Sequence, residues 1–281
     1  MIDVRDLTKH YAAAAGLRSL LPGRRGEVTR AVEGVSFDIG AGEVLGLVGE
    51  SGSGKSTTGR LLVGLETPSS GTIRIDGTDS ANARARDRKA FHRQVQMIFQ
   101  DPYGALNPQH TVEELVGRPL LYQGVRDRAK VAASVRDALA EVGLNPPESY
   151  LAKHPHELSG GQRQRVCIAR AIILEPRFIV ADEPVSMLDV SIKWDIVRLL
   201  KRLARDRGIA MLYITHDLAT VGAVCDRLAI MYRGRIVETG PVEAVLSAPS
   251  DAYTRTLIAA IPSADPDIVR VPPPALQQAA G

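Results

Sequence analysis

Five apolar residues, Val44-Leu45-Gly46-Leu47-Val48, run directly into Gly49-Glu50-Ser51-Gly52-Ser53-Gly54-Lys55-Ser56-Thr57. No other feature restricts the fold of this 281-residue chain as strongly. The second stretch matches G-x-x-x-x-G-K-[ST], a loop whose backbone N–H groups wrap phosphate oxygens. Glycines are needed because a β-carbon would obstruct the curl of the loop or the approach of the phosphates. The loop works between a buried strand and a helix whose N-terminus faces the anion. The apolar pentapeptide supplies a strand of the parallel kind covered on both faces, and Ser56–Leu65 reads as the helix. An α/β fold that binds a nucleoside triphosphate follows. Gly49, Ser51, Gly52, Ser53, Gly54, Lys55, Ser56 and Thr57 form the cradle, with the Lys55 charge on the β and γ phosphates and the Ser56 hydroxyl on Mg²⁺.

A second glycine motif lies well downstream. Leu158-Ser159-Gly160-Gly161-Gln162 precedes a helical stretch, Gln162–Leu174, and so aims another positive helix N-terminus at phosphate. One nucleotide is not expected to reach both motifs within a single molecule, and the distance between them suggests a dimer. Phe178-Ile179-Val180-Ala181 is an apolar strand that ends in Asp182-Glu183-Pro184. Ionised carboxylates there are costly unless a cation or a transferable proton offsets them. Asp182 suits a holder of Mg²⁺ through its water shell, and Glu183 suits the group that polarises an attacking water. His216 ends another apolar strand, Leu212-Tyr213-Ile214-Thr215. Alone it reads as a satisfied histidine at a strand terminus, yet strand order in such folds can bring that terminus beside the γ phosphate. Gln100, after Phe99, is a neutral side chain able to reach Mg²⁺ or the water.

Elsewhere, Ile2–Tyr11 and Ala31–Ile39 alternate apolar and polar residues as half-exposed strands do. Ala12–Arg30 between them, with Arg18, Arg24, Arg25 and Arg30, reads as a loop or short helix with solvated arginines. Gly71–Gly77 reads as an edge strand and turn, and Val95–Phe99 as a further strand. From about Asp101 to Ala171 the pattern is helical; Val131, Val135, Leu139 and Val142 fall on one face. Strands return at Phe178–Ala181 and Met211–Thr215 around a helix at Ile192–Arg207, and a final pair, Arg227–Tyr232 and Arg235–Glu238, flanks an Arg233-Gly234 turn.

In the order phosphate loop, Gln100, Leu158–Gln162, Asp182-Glu183, Leu188-Asp189 and His216, the chain resembles the nucleotide-binding subunit of ABC transporters, up to about residue 262. The pentapeptide with Arg163-Gln164-Arg165 after it is the most specific part. The resemblance implies a P-loop core of mixed sheet flanked by helices, with an N-terminal antiparallel β subdomain. It also implies a helical subdomain at about 101–172 and a C-terminal extension at about 241–262; the proline-rich stretch 263–281, with little apolar pattern, reads as a loosely ordered tail. Tyr11 would stack on adenine. Gln100 would couple Mg²⁺ to the transmembrane partner, with Ser56 and Asp182 as the other metal-side residues. Ser159, Gly160 and Gly161, with Gln162, would bind the γ phosphate of ATP held by the opposite subunit. Ser186–Asp189 would be the D-loop, bringing Asp189 to the nucleotide, and His216 the switch histidine contacting the γ phosphate. The cofactors implied are ATP and Mg²⁺. The partners implied are a second ATPase subunit (a paralogue for preference, or a second copy), two membrane permease subunits and, indirectly, an extracytoplasmic solute-binding protein. Phe99–Pro108, His154-Pro155-His156-Glu157 and Ala252–Leu257 are similar to the di- and oligopeptide importers. Nickel and glutathione importers share these segments, so the solute stays open. No cysteine follows Cys225, so the C-terminal iron–sulfur cysteines of some relatives are absent.

Composition narrows the alternatives. Net charge is +3 without a dense Lys/Arg stripe, too weak a bias to argue for nucleic acid, and no nucleic-acid partner is expected. Cys167 and Cys225, the only cysteines, sit in apolar surroundings and read as buried reduced thiols. Met1–Asp6 has no apolar signal core and no apolar run approaches a membrane span; a cytoplasmic protein held at the membrane face by other subunits is expected. Soluble ABC ATPases of DNA repair or translation typically carry two cassettes or a long coiled-coil insertion, and neither is seen in this sequence. Lys193 and Trp194 stand where the family usually has smaller or uncharged residues, and Met187 replaces a commoner alanine; Trp194 reads as packing. His154 and His156 read as part of a solvated loop.

Overall fold

In a computed structural model, residues 1–12 and 28–260 are described. The chain opens with strands β1 (Ile2–Ala12), β2 (Val28–Ile39) and β3 (Val44–Val48), helix α1 (Lys55–Leu62), and strands β4 (Ser70–Ile75) and β5 (Thr78–Asp79). Helices α2 (Ser80–Arg86) and α3 (Arg88–Gln94) lead to strand β6 (Val95–Ile98). A helical stretch follows: α4 (Pro102–Ala105), α5 (Val112–Tyr122), α6 (Arg128–Glu141), α7 (Glu148–Leu151) and α8 (Gly160–Ile172). The chain returns through β7 (Phe178–Asp182), α9 (Val190–Arg207), β8 (Ala210–Thr215), α10 (Leu218–Val224), β9 (Arg227–Tyr232) and β10 (Arg235–Pro241). It ends, among the described residues, in α11 (Val242–Ser247) and α12 (Ala252–Ala259).

The strands make two sheets. One has the order β2-β1-β4-β5 and is antiparallel; the other has the order β10-β9-β3-β8-β7-β6 and is parallel except for the β9–β10 hairpin. The apolar strands of the second sheet are covered on both faces, and their side chains divide accordingly. Leu45, Leu47, Val180, Leu212 and Ile214 pack with Val4, Leu7, Val35 and Phe37 of the antiparallel sheet and with Leu61 and Leu62 of α1. Val44, Val48, Ile179, Ala181, Met211 and Tyr213 face the other way, into a cluster with Val166 and Ile172 of α8 and Leu200 and Leu203 of α9. Alternation along a pleated strand produces this division, and burial on both faces explains the unbroken apolar runs. The stripe Val131, Val135, Leu139 and Val142 is buried in the same cluster. Cys167 and Cys225 are free and buried. Burial pushes the Cys167 thiol up to about 11 and raises Cys225 as well.

Several boundaries differ from the sequence reading. Val28–Arg30 are not loop but the start of β2, paired with Ala12, Tyr11 and His10 of β1; Arg18, Arg24 and Arg25 lie outside the described residues, as does the tail at 263–281. Helix α1 stops at Leu62 rather than Leu65 because Gly64 takes a positive φ of 73°, a left-handed stop that glycine adopts without strain. Strand β4 is not an edge: the two-residue β5 lies outside it. Helix α8 begins at Gly160, so both glycines of the second motif belong to its first turn. His154 and His156 stack, ring centroids 5.7 Å apart, around a single 3-10 turn at Pro155–Glu157. Among the described residues no helix is long and apolar enough to cross a membrane.

Candidate functional site

Strands β3, β6, β7 and β8 run in one direction, so their carboxyl ends share one edge of the sheet, the edge where open α/β sheets bind ligands. Each strand delivers a candidate residue there: the phosphate loop after β3, Gln100 beyond β6, Asp182 and Glu183 at the end of β7, His216 after β8. An open cleft of about 740 Å³ runs along this edge, lined by Gly49–Gly52, Gly54–Thr57, Gln100, Glu183 and His216.

The loop's shape is enforced from outside. A β-carbon at Gly49 would stand 2.1 Å from the Met231 carbonyl oxygen of β9, and one at Gly54 2.2 Å from the Ala31 carbonyl oxygen of β2. The N–H of Gly234, in the β9–β10 turn, donates to the Ser53 carbonyl at 2.9 Å. Gly54 (φ 105°) leads into helix α1 and provides no side-chain cap, which leaves the helix's first N–H groups for an anion. The Lys55 ammonium folds back onto the Gly49 and Glu50 carbonyls, at 2.7 and 2.6 Å. Burial holds Lys55 below its ordinary value, with Glu183, Asp182 and Glu50 acting in the opposite sense.

Opposite the loop stands a connected polar set. Ser56 Oγ donates to Asp182 Oδ1 at 3.0 Å. Burial raises the Asp182 carboxyl, the Ser56 hydrogen bond opposes the rise, and neighbouring Glu183 adds to it. Glu183 has a positive φ of 46°, a conformation costly for a non-glycine residue and concentrated at functional sites. Its two carboxylate oxygens are divided: Gln100 Nε2 donates to Oε2 at 2.9 Å, and His216 Nδ1 lies 3.0 Å from Oε1. Three residues from three strand ends thus meet on one carboxylate.

The other sequence candidates stand elsewhere. Tyr11, at the end of β1 and paired with the cleft residue Thr29, hydrogen-bonds the Glu66 carboxylate through its hydroxyl, and the Lys9 ammonium sits 5.0 Å from its ring centre. Burial first, then the Glu66 carboxylate, raises its phenol. Ser159, Gly160, Gly161 and Gln162 do not line the cleft. Ser159 caps α8 in a capping box: its Oγ accepts from Gln162 N at 3.3 Å and Gln162 Oε1 accepts from Ser159 N at 3.0 Å. Exposed Asp189 starts α9 without a side-chain cap bond. Gly161 faces that helix so closely that a β-carbon would stand 2.5 Å from Ile192 Cγ2. Lys193, in α9, reaches Asp217 at 3.1 Å, directly after His216.

The cleft also includes Thr29, Arg30 and Ala31 of β2 and Leu257 of α12, which sequence reasoning missed. Arg30 was read there as a solvated loop residue. Nothing local marks these positions; long-range pairing and the C-terminal helix bring them in.

Loop, acids and parallel-strand edge together define a P-loop nucleoside triphosphatase. Comparison makes the class specific. A family model described as "ABC transporter" matches residues 32–186. A putative peptide import ATP-binding protein of Brucella ovis is 46% identical over 267 residues, covering 95% of this chain and 80% of the relative. A probable peptide ABC transporter ATP-binding protein of Sinorhizobium fredii is 45% identical over 275 residues, covering 98% and 76%. The glutathione import ATP-binding protein of Escherichia coli is 47% identical over 266 residues, covering 95% of this chain and 42% of that one. Among solved structures, a dimeric ATP-binding cassette in a post-hydrolysis state bound to ADP and Pi is similar, with a TM-score of 0.73 and 28% identity over 86% of this chain and 99% of that one. The chain belongs to the ABC transporter family. It is an ATP-binding cassette of that family, an ATPase.

Proposed function

We propose that the chain powers a membrane importer of di- or oligopeptides, working in a pair of cassettes that closes on ATP and reopens on hydrolysis. The observation that carries the hydrolytic reading is Glu183, held between Gln100 and His216 at the wall of the phosphate cleft. In that position the carboxylate orients and polarises the attacking water, and His216 keeps Nε2 for the γ phosphate. Lys55 leaves its carbonyl partners for the β and γ phosphates. The Ser56 hydroxyl, Asp182 and Gln100 offer only oxygen and amide donors, a set that suits Mg²⁺ arriving with the nucleotide; among the described residues no group of three or more His, Cys, Asp or Glu forms a resident metal site. Bound Mg²⁺ would neutralise charge developing on the phosphates.

The second half-site supports the pairing. The N-terminus of α8, with Ser159, Gly160 and Gly161, would meet the ATP of the partner cassette, Asp189 and the rest of 186–189 would cross the same contact, and Tyr11 would hold adenine. The partner is a paralogue or a second copy. The permease subunits would dock on the helical subdomain, about residues 101–172, over the 100–119 surface. A groove of about 440 Å³ between α3, α5 and α8, lined by His92, Asn107, His110, Arg118 and Tyr122, supports this, as do exposed Phe99, Tyr103, Leu121 and Tyr122 beside it. Docking there puts the chain on the cytoplasmic face of the membrane, with a solute-binding protein on the far side and no nucleic acid involved. The C-terminal extension, about 241–262, completes the cassette. The names of the Brucella and Sinorhizobium relatives favour peptide as solute; the Escherichia coli relative makes glutathione the second reading. Purification of the chain with its permease partners, followed by ATPase assay in vesicles loaded with peptides or glutathione and the cognate binding protein, tests this. Stimulation by peptides is the expected result, and stimulation by neither solute would sink the importer reading.

A further inference from the structure

The phosphate loop has a contact that neither the hydrolytic set nor the second motif uses. The Glu50 N–H, in the loop's first turn, donates to the Tyr253 hydroxyl at 3.1 Å, across 203 residues of chain. Tyr253 lies in α12, where its ring stacks on Tyr232 of β9 at 4.1 Å between centroids. One turn further along α12, Leu257 lines the nucleotide cleft itself. The helix is fixed at its start by one side chain of β10. Glu238 Oε1 accepts from Ser250 N and Ser250 Oγ, both at 2.8 Å, and Glu238 Oε2 accepts from Asp251 N at 3.2 Å. Asp251 then caps α12 by accepting from Tyr253 N at 2.8 Å and Thr254 N at 3.3 Å. Burial pushes the Glu238 carboxyl up, but these hydrogen bonds prevail and hold it at about 2.

We propose that α12 is a working part of the nucleotide site, in which Tyr253 is a positioning residue that holds the first turn of the phosphate loop in its ATP-binding shape, and Glu238 holds the helix that carries it. A phosphate loop binds through several backbone N–H groups that must converge, and its glycines leave the chain free to relax when unrestrained. Met231 and Gly234 brace the loop at Gly49 and Ser53; Tyr253 braces it between them at Glu50. The stacked Tyr232 ring makes the brace rigid, because both tyrosines move only with the β9–β10 hairpin and α12 together.

The inference rests on the nucleotide site proposed above, and the test separates the two. ATP affinity of the full chain is measured by equilibrium titration for wild type, Tyr253→Phe, Glu238→Ala and the double variant, and KM and kcat are measured alongside. Tyr253→Phe keeps the ring stack and removes only the acceptor. It should raise the ATP Kd and KM two- to tenfold, the upper end set by one lost hydrogen bond, with kcat unchanged. Glu238→Ala should raise Kd in the same range, and the double variant should be no worse than the weaker-binding single variant, as for residues acting through one route. A Tyr253→Phe change below twofold in Kd, or a loss in kcat at constant KM, overturns the proposal. Additive losses overturn the route through Glu238. If the wild-type chain does not bind ATP, the nucleotide site itself is wrong and this inference falls with it.

Discussion

Glu183 is the side chain that its surroundings constrain most closely at the cleft wall. Its backbone is bent to a positive φ, its amide donates to Ile214 O at 2.9 Å, and its carboxylate is shared between Gln100 and His216. Replacing it with glutamine keeps size and some of the hydrogen bonding but removes the charge proposed to polarise the attacking water. Glu183→Gln is therefore expected to bind ATP with nearly wild-type affinity while turnover drops by about 10²-fold or more, the range for loss of a general base. Phosphate release and equilibrium nucleotide binding, measured on the same preparation, check both halves; wild-type turnover would remove Glu183 from the reaction. Lys55→Ala should instead lose binding, because the role proposed for Lys55 is to leave the Gly49 and Glu50 carbonyls and bring its positive charge to the phosphates. The identities of Lys55, Ser56, Asp182 and Glu183 were legible in the sequence, since each follows an apolar strand or sits in a defined glycine pattern. The contacts of Glu183 with Gln100 and His216 were not, because they depend on the strand order β8-β7-β6, which no local stretch encodes.

At the scale of elements, the loop is shaped by its neighbours more than by its own sequence. Gly49 is the sharpest case: with a β-carbon 2.1 Å from the Met231 carbonyl, Gly49→Ala forces β9 and the loop apart. ATP binding should weaken by at least tenfold, read by titration, while the melting temperature drops modestly because most of the core is untouched. Helix α12 offers a pH-dependent counterpart. The Glu238 carboxyl is held at about 2 against an ordinary 4.5. A depressed carboxyl contributes stability that is complete above its unfolded value and disappears as pH drops through the folded one. The docking of α12 should thus be intact at pH 6 and weaken between about pH 4.5 and 2. Hydrogen exchange at the amides of 252–259, compared at pH 5 and 3 after correction for intrinsic rates, would show the helix losing protection first; equal protection at both would show that Glu238 does not hold it. The strand and helix types here were readable from period and apolar runs. The start of β2 and the interior position of β4 were not: exposed Val28–Arg30 have no apolar signature, and β4 is interior only because a two-residue strand covers it.

At the scale of the molecule, the decisive fact is that one chain carries two glycine motifs and brings only one of them to the cleft. At the N-terminus of α8, Gly161 packs on α9 but Ser159 is exposed, its hydroxyl engaged in capping Gln162 N, and none of Ser159–Gln162 lines the loop's pocket. The sequence spacing hinted at this separation, and the fold supplies the reason, since α8 packs with α5 and α6 while the loop stays at the sheet edge. A site completed in trans makes a prediction that a site completed in cis cannot. Ser159→Arg places a long cation at the start of α8, opposed by the helix dipole and occupying the space a partner's phosphate would need. The isolated variant should bind ATP as the wild type does, because its own loop is untouched. Combined with Glu183→Gln, which would otherwise trap the closed pair, it should stay monomeric in ATP by light scattering and fail to join a partner cassette in the assembled transporter, whereas Glu183→Gln alone should shift to dimer, with a second copy or with the partner cassette. Loss of monomer ATP binding in Ser159→Arg would place the second motif at the chain's own nucleotide and leave no need for a pair.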